Sequence, residues 1–184
     1  MLFLDGLNSD YIVIESDKLD DYIKYINHNK VKAVYLSQLY FLNKNIDFFR
    51  ECEHIEKVNI TSALVINYDG LKYLKNLKVI LLQEPKNKVD LGINSALEEV
   101  GIEMNKNIVG IENLKKIKEL RVWKYMPKDG NLNDIGRLIS LEKLKVMQSS
   151  INTLKGCESL VNLKELELGY LRNLYYIDSL EEIK

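Results

Sequence analysis

LEKLKVMQSSINTLKGCESLVNLKELEL, residues 141–168, contains one unit and the start of its copy. Leu141, Leu144 and Val146 stand as L-x-x-L-x-V, and Leu163, Leu166 and Leu168 repeat the spacing one period later as L-x-x-L-x-L. A fixed period of this length, roughly 20–24 residues, marks a solenoid, because each unit is too small to bury its own apolar face and must stack on its neighbours.

Outward from this stretch, the middle apolar position recurs at near-regular intervals at Val34, Val58, Ile80, Val100, Leu120, Leu144 and Leu166. Ile14 lies one such interval before Val34 and reads as a degenerate first copy. Each copy is a short strand with alternate residues directed inward. Between strands, apolar residues recur in steps of three, as in Leu71, Leu74 and Leu77, or Ile111, Leu114 and Ile117, or Leu132, Ile135 and Leu138, or Leu154, Cys157 and Leu160. That step predicts 3-10 turns packed by one side. Asn43 to Cys52, with Ile46, Phe48 and Phe49, predicts a longer helix; Glu84 to Gly92, broken by Pro85 and Gly92, predicts a loop; Met126 to Asn131 predicts an exposed turn.

At the start, Leu2 to Leu4 and Tyr11 to Ile14 flank a turn-rich segment and predict a capping hairpin. Leu19, Tyr22, Ile23 and Ile26 predict a helix over residues 17–28. The expected organisation is one domain over 1–184, with a cap in 1–30 and repeats in 31–184. Leu180 to Ile183 reads as the start of a shortened terminal strand.

The apolar spacing resembles the leucine-rich repeat family over roughly residues 31–184, most closely its bacterial type with short repeats and 3-10 returns. The resemblance implies an α/β leucine-rich repeat solenoid: a parallel sheet on the concave face, and 3-10 turns, short helix and loop on the convex face. Family members place Asn five residues after the middle apolar position, where it bonds the backbone between turns. Here those positions hold Leu39, Ala63, Pro85, Asn105, Tyr125, Ser149 and Leu171; Asn105 matches and Ser149 is a small polar substitute. Uneven turns are therefore expected.

In the family, residues between the buried leucines point into the concave cavity, and strand alternation alone gives the same result. The outward residues chosen as a partner-binding surface are Tyr35, Asn59, Leu81, Glu103, Arg121, Trp123, Tyr125, Lys145 and Met147. Arg121, Trp123 and Tyr125 carry the strongest signal, since Trp, Tyr and Arg concentrate binding energy at interfaces and Trp123 is the only tryptophan. Trp123 could instead pack over a neighbouring copy or under the 126–131 loop, and Leu81 could serve cross-strand packing. Glu99, Glu103 and Glu119, then Arg121, Lys143 and Lys145, then Glu165 and Glu167 form bands of opposite charge. Such bands either orient a partner or pair with one another across strands.

Composition bounds the rest. With 26 Lys plus Arg against 27 Asp plus Glu, the net charge of −1 gives no global field for nucleic acid or an anionic membrane. The two cysteines, Cys52 and Cys157, fall about five repeats apart, roughly 25 Å at strand spacing, too far for a disulfide. Two free thiols, a short apolar start ending at Asp5, and no long apolar run lead to a cytoplasmic expectation. Richness in Lys, Asn, Ile and Tyr fits an AT-rich bacterial genome. No nucleotide, nucleophile-elbow or H-E-x-x-H motif is present. Cys52-Glu53-His54 offers too few ligands for zinc. Neither catalytic residues, metal nor cofactor are expected. The functional expectation is a mostly monomeric module that binds another protein on its concave face, with toxin neutralisation by an immunity protein as one form. The alternative is a structural protein that self-associates through its ends.

Overall fold

The computed structural model describes residues 2–3 and 10–177. Its strands are β1 (Leu2–Phe3), β2 (Ile12–Val13), β3 (Ala33–Leu36), β4 (Lys57–Ile60), β5 (Val79–Leu82), β6 (Val89–Asp90), β7 (Glu99–Glu103), β8 (Ile108–Val109), β9 (Glu119–Trp123), β10 (Lys143–Met147) and β11 (Glu165–Gly169). Among the described residues, one sheet runs β1-β2-β3-β4-β5-β7-β9-β10-β11. Only the β1–β2 pair is antiparallel. From β2 onward every pair is parallel, which requires a crossover after each strand.

Val34, Val58, Ile80, Val100, Leu120, Leu144 and Leu166 lie directly side by side in this sheet, at the register the apolar spacing predicts. Up to Leu144 they are buried, as are Leu36, Ile60, Leu82, Ile102, Val122 and Val146 two residues on. Leu166 and Leu168 on β11 are partly buried against the same core. The first copy differs from expectation, because Ile12, not Ile14, pairs with Val34. Both residues face inward, so alternation alone does not separate a register from one shifted by two.

The returns are 3-10 turns at Asp47–Glu51, Asp69–Tyr73, Leu91–Ile93, Ile111–Asn113, Ile135–Arg137 and Cys157–Ser159. Several open with a side chain capping the backbone two residues on: Asn45 accepts from Asp47 N–H, Asn67 from Asp69, Asp90 from Gly92 and Asn131 from Asn133. Two expectations are corrected here. Asn43 to Cys52 forms a five-residue 3-10 turn at Asp47–Glu51 instead of a helix, since it stacks directly on the next turn, Asp69–Tyr73, and must match its width. Glu84 to Gly92 is not all loop, because Val89–Asp90 pairs in parallel with Ile108–Val109 as a second, two-stranded sheet on the return side. Met126 is exposed and a turn follows it, as expected.

Helix α1 (Leu19–Asn29) follows a 3-10 turn at Ser16–Lys18 and buries Tyr22 and Ile26. Asp20 and Asp21 in its first turn suit the positive end of the helix dipole. It ends where Lys30 turns left-handed and Val31 N–H donates to the Ile26 carbonyl. The predicted hairpin appears as the β1–β2 pair; its connecting turn, like Leu180 to Ile183, lies outside the described residues.

The inter-turn polar bonds are individual to each repeat. Asn105 donates to the Pro85 carbonyl and Ser149 to the Tyr125 carbonyl, both as expected for the family position. Ser62, one residue earlier in its repeat, donates to the Phe41 carbonyl, and buried Asn94 donates to both Leu71 and Leu74. Just before the strands runs a ladder of alternating charge: Lys32, Glu56, Lys78, Glu98, Lys118, Glu142 and Lys164. Glu56 sits 2.6 Å from Lys32 and 2.7 Å from Lys78, Glu98 is 3.0 Å from Lys118, and Glu142 is 2.6 Å from Lys164.

Candidate functional site

Parallel register converts each outward strand position into a row across the concave face. One row runs Tyr35, Asn59, Leu81, Gly101, Arg121, Lys145 and Glu167. The next carries Glu103, Trp123, Met147 and Gly169. Glycine leaves a notch in each row. A Cβ on Gly101 would lie 2.4 Å from Cδ2 of Leu81, so Leu81 leans over that notch, and one on Gly169 would meet the end of Met147 at 2.6 Å. Leu81 and Met147 thus pack across the sheet.

Trp123 is half-buried and belongs to two hollows. One, of about 400 Å³, has walls from Leu81, Leu82 and Trp123, with Gly101 between them. The other, of about 530 Å³, runs from Trp123 over Lys143 and Lys145 to Glu165 and Glu167. Trp123 and Arg121 line both hollows.

The charge bands resolve into ion pairs. Arg121 Nε donates to Glu119 at 2.6 Å and its Nη2 lies 3.7 Å from Glu99. Lys143 is 2.6 Å from Glu165 and Lys145 2.7 Å from Glu167. Lys124 donates to Glu103 and lies 3.4 Å from Glu84, and the Glu103 bond, with its charge, holds the ammonium above its usual range. Hydrogen bonds from Lys86 and Lys124 hold the Glu84 carboxyl below its own. The face is therefore locally neutralised: Lys143 and Lys145 fall beside Glu165 and Glu167 in register, whereas Arg121, which lies beside Lys145, pairs with Glu119 on its own strand and with Glu99 diagonally.

Of the residues chosen from sequence, Tyr35, Asn59, Leu81, Glu103, Arg121, Trp123, Lys145 and Met147 all lie on this face. Asn59, Leu81, Glu103, Arg121 and Trp123 meet around the smaller hollow. Tyr35 does not line the hollow itself but adjoins it, its hydroxyl 2.9 Å from Oγ1 of Thr61, which does. Tyr125 is a correction. Lys124 adopts a left-handed conformation at φ 54°, ending the alternation, so the Tyr125 ring is buried on the return side with Ile108 and Ile135. Burial pushes its hydroxyl up to about 12. Ala33, at an outward position of its strand, is also buried.

Sequence reasoning missed Lys124 and Gln148, which line the hollow from beyond the strand ends together with Gln83. The available signal was positional: each of Lys124 and Gln148 lies four residues after its middle apolar residue. Elsewhere, Cys52 and Cys157 are buried free thiols pushed up to about 11 by burial. Among the described residues no group of three His, Cys, Asp or Glu could hold a metal ion, and no helix is long and apolar enough to cross a membrane.

The stacked strands, 3-10 returns and continuous apolar core define a leucine-rich repeat solenoid, and the chain has that fold. No family model and no curated protein matches the chain. Solved structures do. The chain is similar to an internalin (inlF) of Listeria monocytogenes str. 4b F2365, with 15% identity and a TM-score of 0.62, over 87% of this chain and 47% of that one. It is also similar to TLR13 in a complex with ssRNA13, with 15% identity and a TM-score of 0.55, over 82% of this chain and 27% of that one. The chain thus spans about half the length of the internalin it matches.

Proposed function

We propose that the protein is a non-catalytic binding module that recognises another protein across its concave face, with the hollow beside Trp123 as the anchor point. The observation that carries this reading is the placement of the only tryptophan, half-buried, in the lining of two hollows on the parallel sheet. Neutralisation of a toxin by an immunity protein is one form of this function, and the cytoplasm, which keeps Cys52 and Cys157 reduced, is the compartment it expects. The fold of internalins and TLR13 supports a binding role in general.

Capture from a lysate of the native organism, with wild-type protein compared against an Arg121→Ala, Trp123→Ala double variant, tests the reading. One protein held by the wild type and released by the variant is the expected result; equal capture by both would refute a concave-face site. Self-association through the solenoid end is a second reading, favoured by exposed Tyr170, Tyr175 and Tyr176 around β11, whose Leu166 and Leu168 are only partly buried. A mass that rises with concentration in sedimentation would support it, and a constant monomer mass would refute it.

A further inference from the structure

Four residues other than glycine take the left-handed conformation within two residues of the end of a concave strand: Glu84 at φ 42°, Lys124 at 54°, Gln148 at 53° and Tyr170 at 55°. Each lies four residues after the middle apolar residue of its strand, the same position in four of the copies, whereas Gln38, Ser62 and Met104 at that position in the other three are not left-handed. A Cβ crowds the backbone there, and glycine would occupy the position without strain. Backbone bonds alone give no reason for a side chain, since the N–H groups of Lys124 and Gln148 donate to the Met147 and Gly169 carbonyls as any residue's would. Both side chains line the hollow beside Trp123. Strained residues of this kind gather where their side chains are used.

The chemistry of the occupant follows from which groups are already committed. Lys124 lies between Glu84 and Glu103, and Arg121 between Glu119 and Glu99. Neither cation is free for a phosphate or a carboxylate, and a basic ligand would have to displace one of them from its partners. Among the described residues, the side-chain amides of Asn59, Gln83 and Gln148 hold no hydrogen bond, and each offers both donor and acceptor. Between them lie Leu81, Leu82 and the Trp123 ring.

Resting on the proposed concave-face reading, we infer that this hollow is a subsite for a bulky, uncharged apolar side chain carried on an extended peptide segment. The free amides meet the N–H and C=O groups of that segment, and Gln148 is held left-handed to complete the set. A volume of about 400 Å³ admits one large side chain with its flanking backbone.

The test is selection of a phage-displayed library of random linear peptides on the immobilised full chain, followed by titration of synthetic tryptophan-free peptides against Trp123 emission. The expected peptides share a Leu, Ile, Met or Phe with uncharged neighbours and give a saturable emission change. Gln148→Gly should weaken them roughly tenfold, the loss of about one hydrogen bond, while the thermal midpoint stays level or rises as strain is released. Unchanged affinity with a lowered midpoint would overturn the role of Gln148 as a recognition residue. A charged consensus that still moves Trp123 emission would refute the neutral subsite and leave the concave-face reading standing. Peptides that bind without moving the emission would refute both. A single-stranded RNA oligonucleotide that saturates the signal where no peptide does would refute the peptide occupant.

Discussion

Gly70→Ala tests how closely the returns are stacked. Gly70 sits in the Asp69–Tyr73 turn, and its φ is one that alanine adopts freely, so any penalty comes from space. An added Cβ would lie 2.1 Å from the carbonyl oxygen of Ile46 and 2.6 Å from its carbon, in the turn of the preceding repeat. Ordinary contact begins at 3.4 Å, so the two turns must part by more than an ångström, and the obstruction is backbone that has no rotamer to change. Between these turns lie Phe48, Phe49, Leu71 and Leu74, all buried, whose packing parts with them. Overpacking of this kind costs about 1–3 kcal/mol, here at the upper end, and the stiffer unfolded chain of alanine returns about 0.4–1 kcal/mol. The net loss is about 2 kcal/mol, a drop of about 4–8 °C in the thermal midpoint for a chain of this size. Gly101→Ala is the contrast, because its Cβ meets only the tip of Leu81 at 2.4 Å, which a rotamer change clears, so the change should stay within about 0.5 kcal/mol. Urea unfolding followed by circular dichroism and by Trp123 emission measures both, and coincidence of the two signals tests whether the array unfolds as a unit. A Gly70→Ala protein as stable as wild type, or a Gly101→Ala protein equally damaged, would refute the reasoning.

Other perturbations follow from the same core and surface. Leu144→Ala removes a buried rung of the central row and should cost about 2–5 kcal/mol in urea unfolding; a silent substitution would place the register in error. Cys52 and Cys157 should resist a disulfide reagent at neutral pH until urea unfolds the chain, because burial, helped by Glu51 and Glu158, pushes both thiols up to about 11; immediate labelling of the native protein would contradict this. Hydrogen bonds from Lys32 and Lys78 lower the Glu56 carboxyl from 4.5 to about 2, so the native state binds fewer protons than the unfolded chain in that interval. Its contribution is therefore complete above about 4.5 and lost as pH falls toward 2. The stability difference between wild type and Glu56→Gln should shrink over that window, and a difference independent of pH would refute the assignment.

The sequence carries the strand register from Val34 to Leu166 because inward positions must be apolar and their spacing survives variation in loop length. The 3-10 returns were legible for the same reason, through their steps of three. Information ran out where alternation ends. Tyr125 was misplaced because a left-handed Lys124 reverses the chain without using glycine, so no residue type announces the turn. Lys124 and Gln148 escaped notice on the same ground. The Asp47–Glu51 turn was overestimated because amphipathic spacing does not reveal the width of the neighbour on which it stacks. The charge bands were visible, but their mutual pairing was not: strand register sets Lys143 beside Glu165 and Lys145 beside Glu167, while Arg121 reaches along its own strand to Glu119.

The alternating ladder from Lys32 to Lys164 has a repeat unit of two turns of the solenoid, not one. Excision of a single repeat would set lysine beside lysine or glutamate beside glutamate at the splice, whereas excision of two adjacent repeats would restore the order of signs. The chain is in this sense built of doublets, and shortening it by pairs should be tolerated better than shortening it by one.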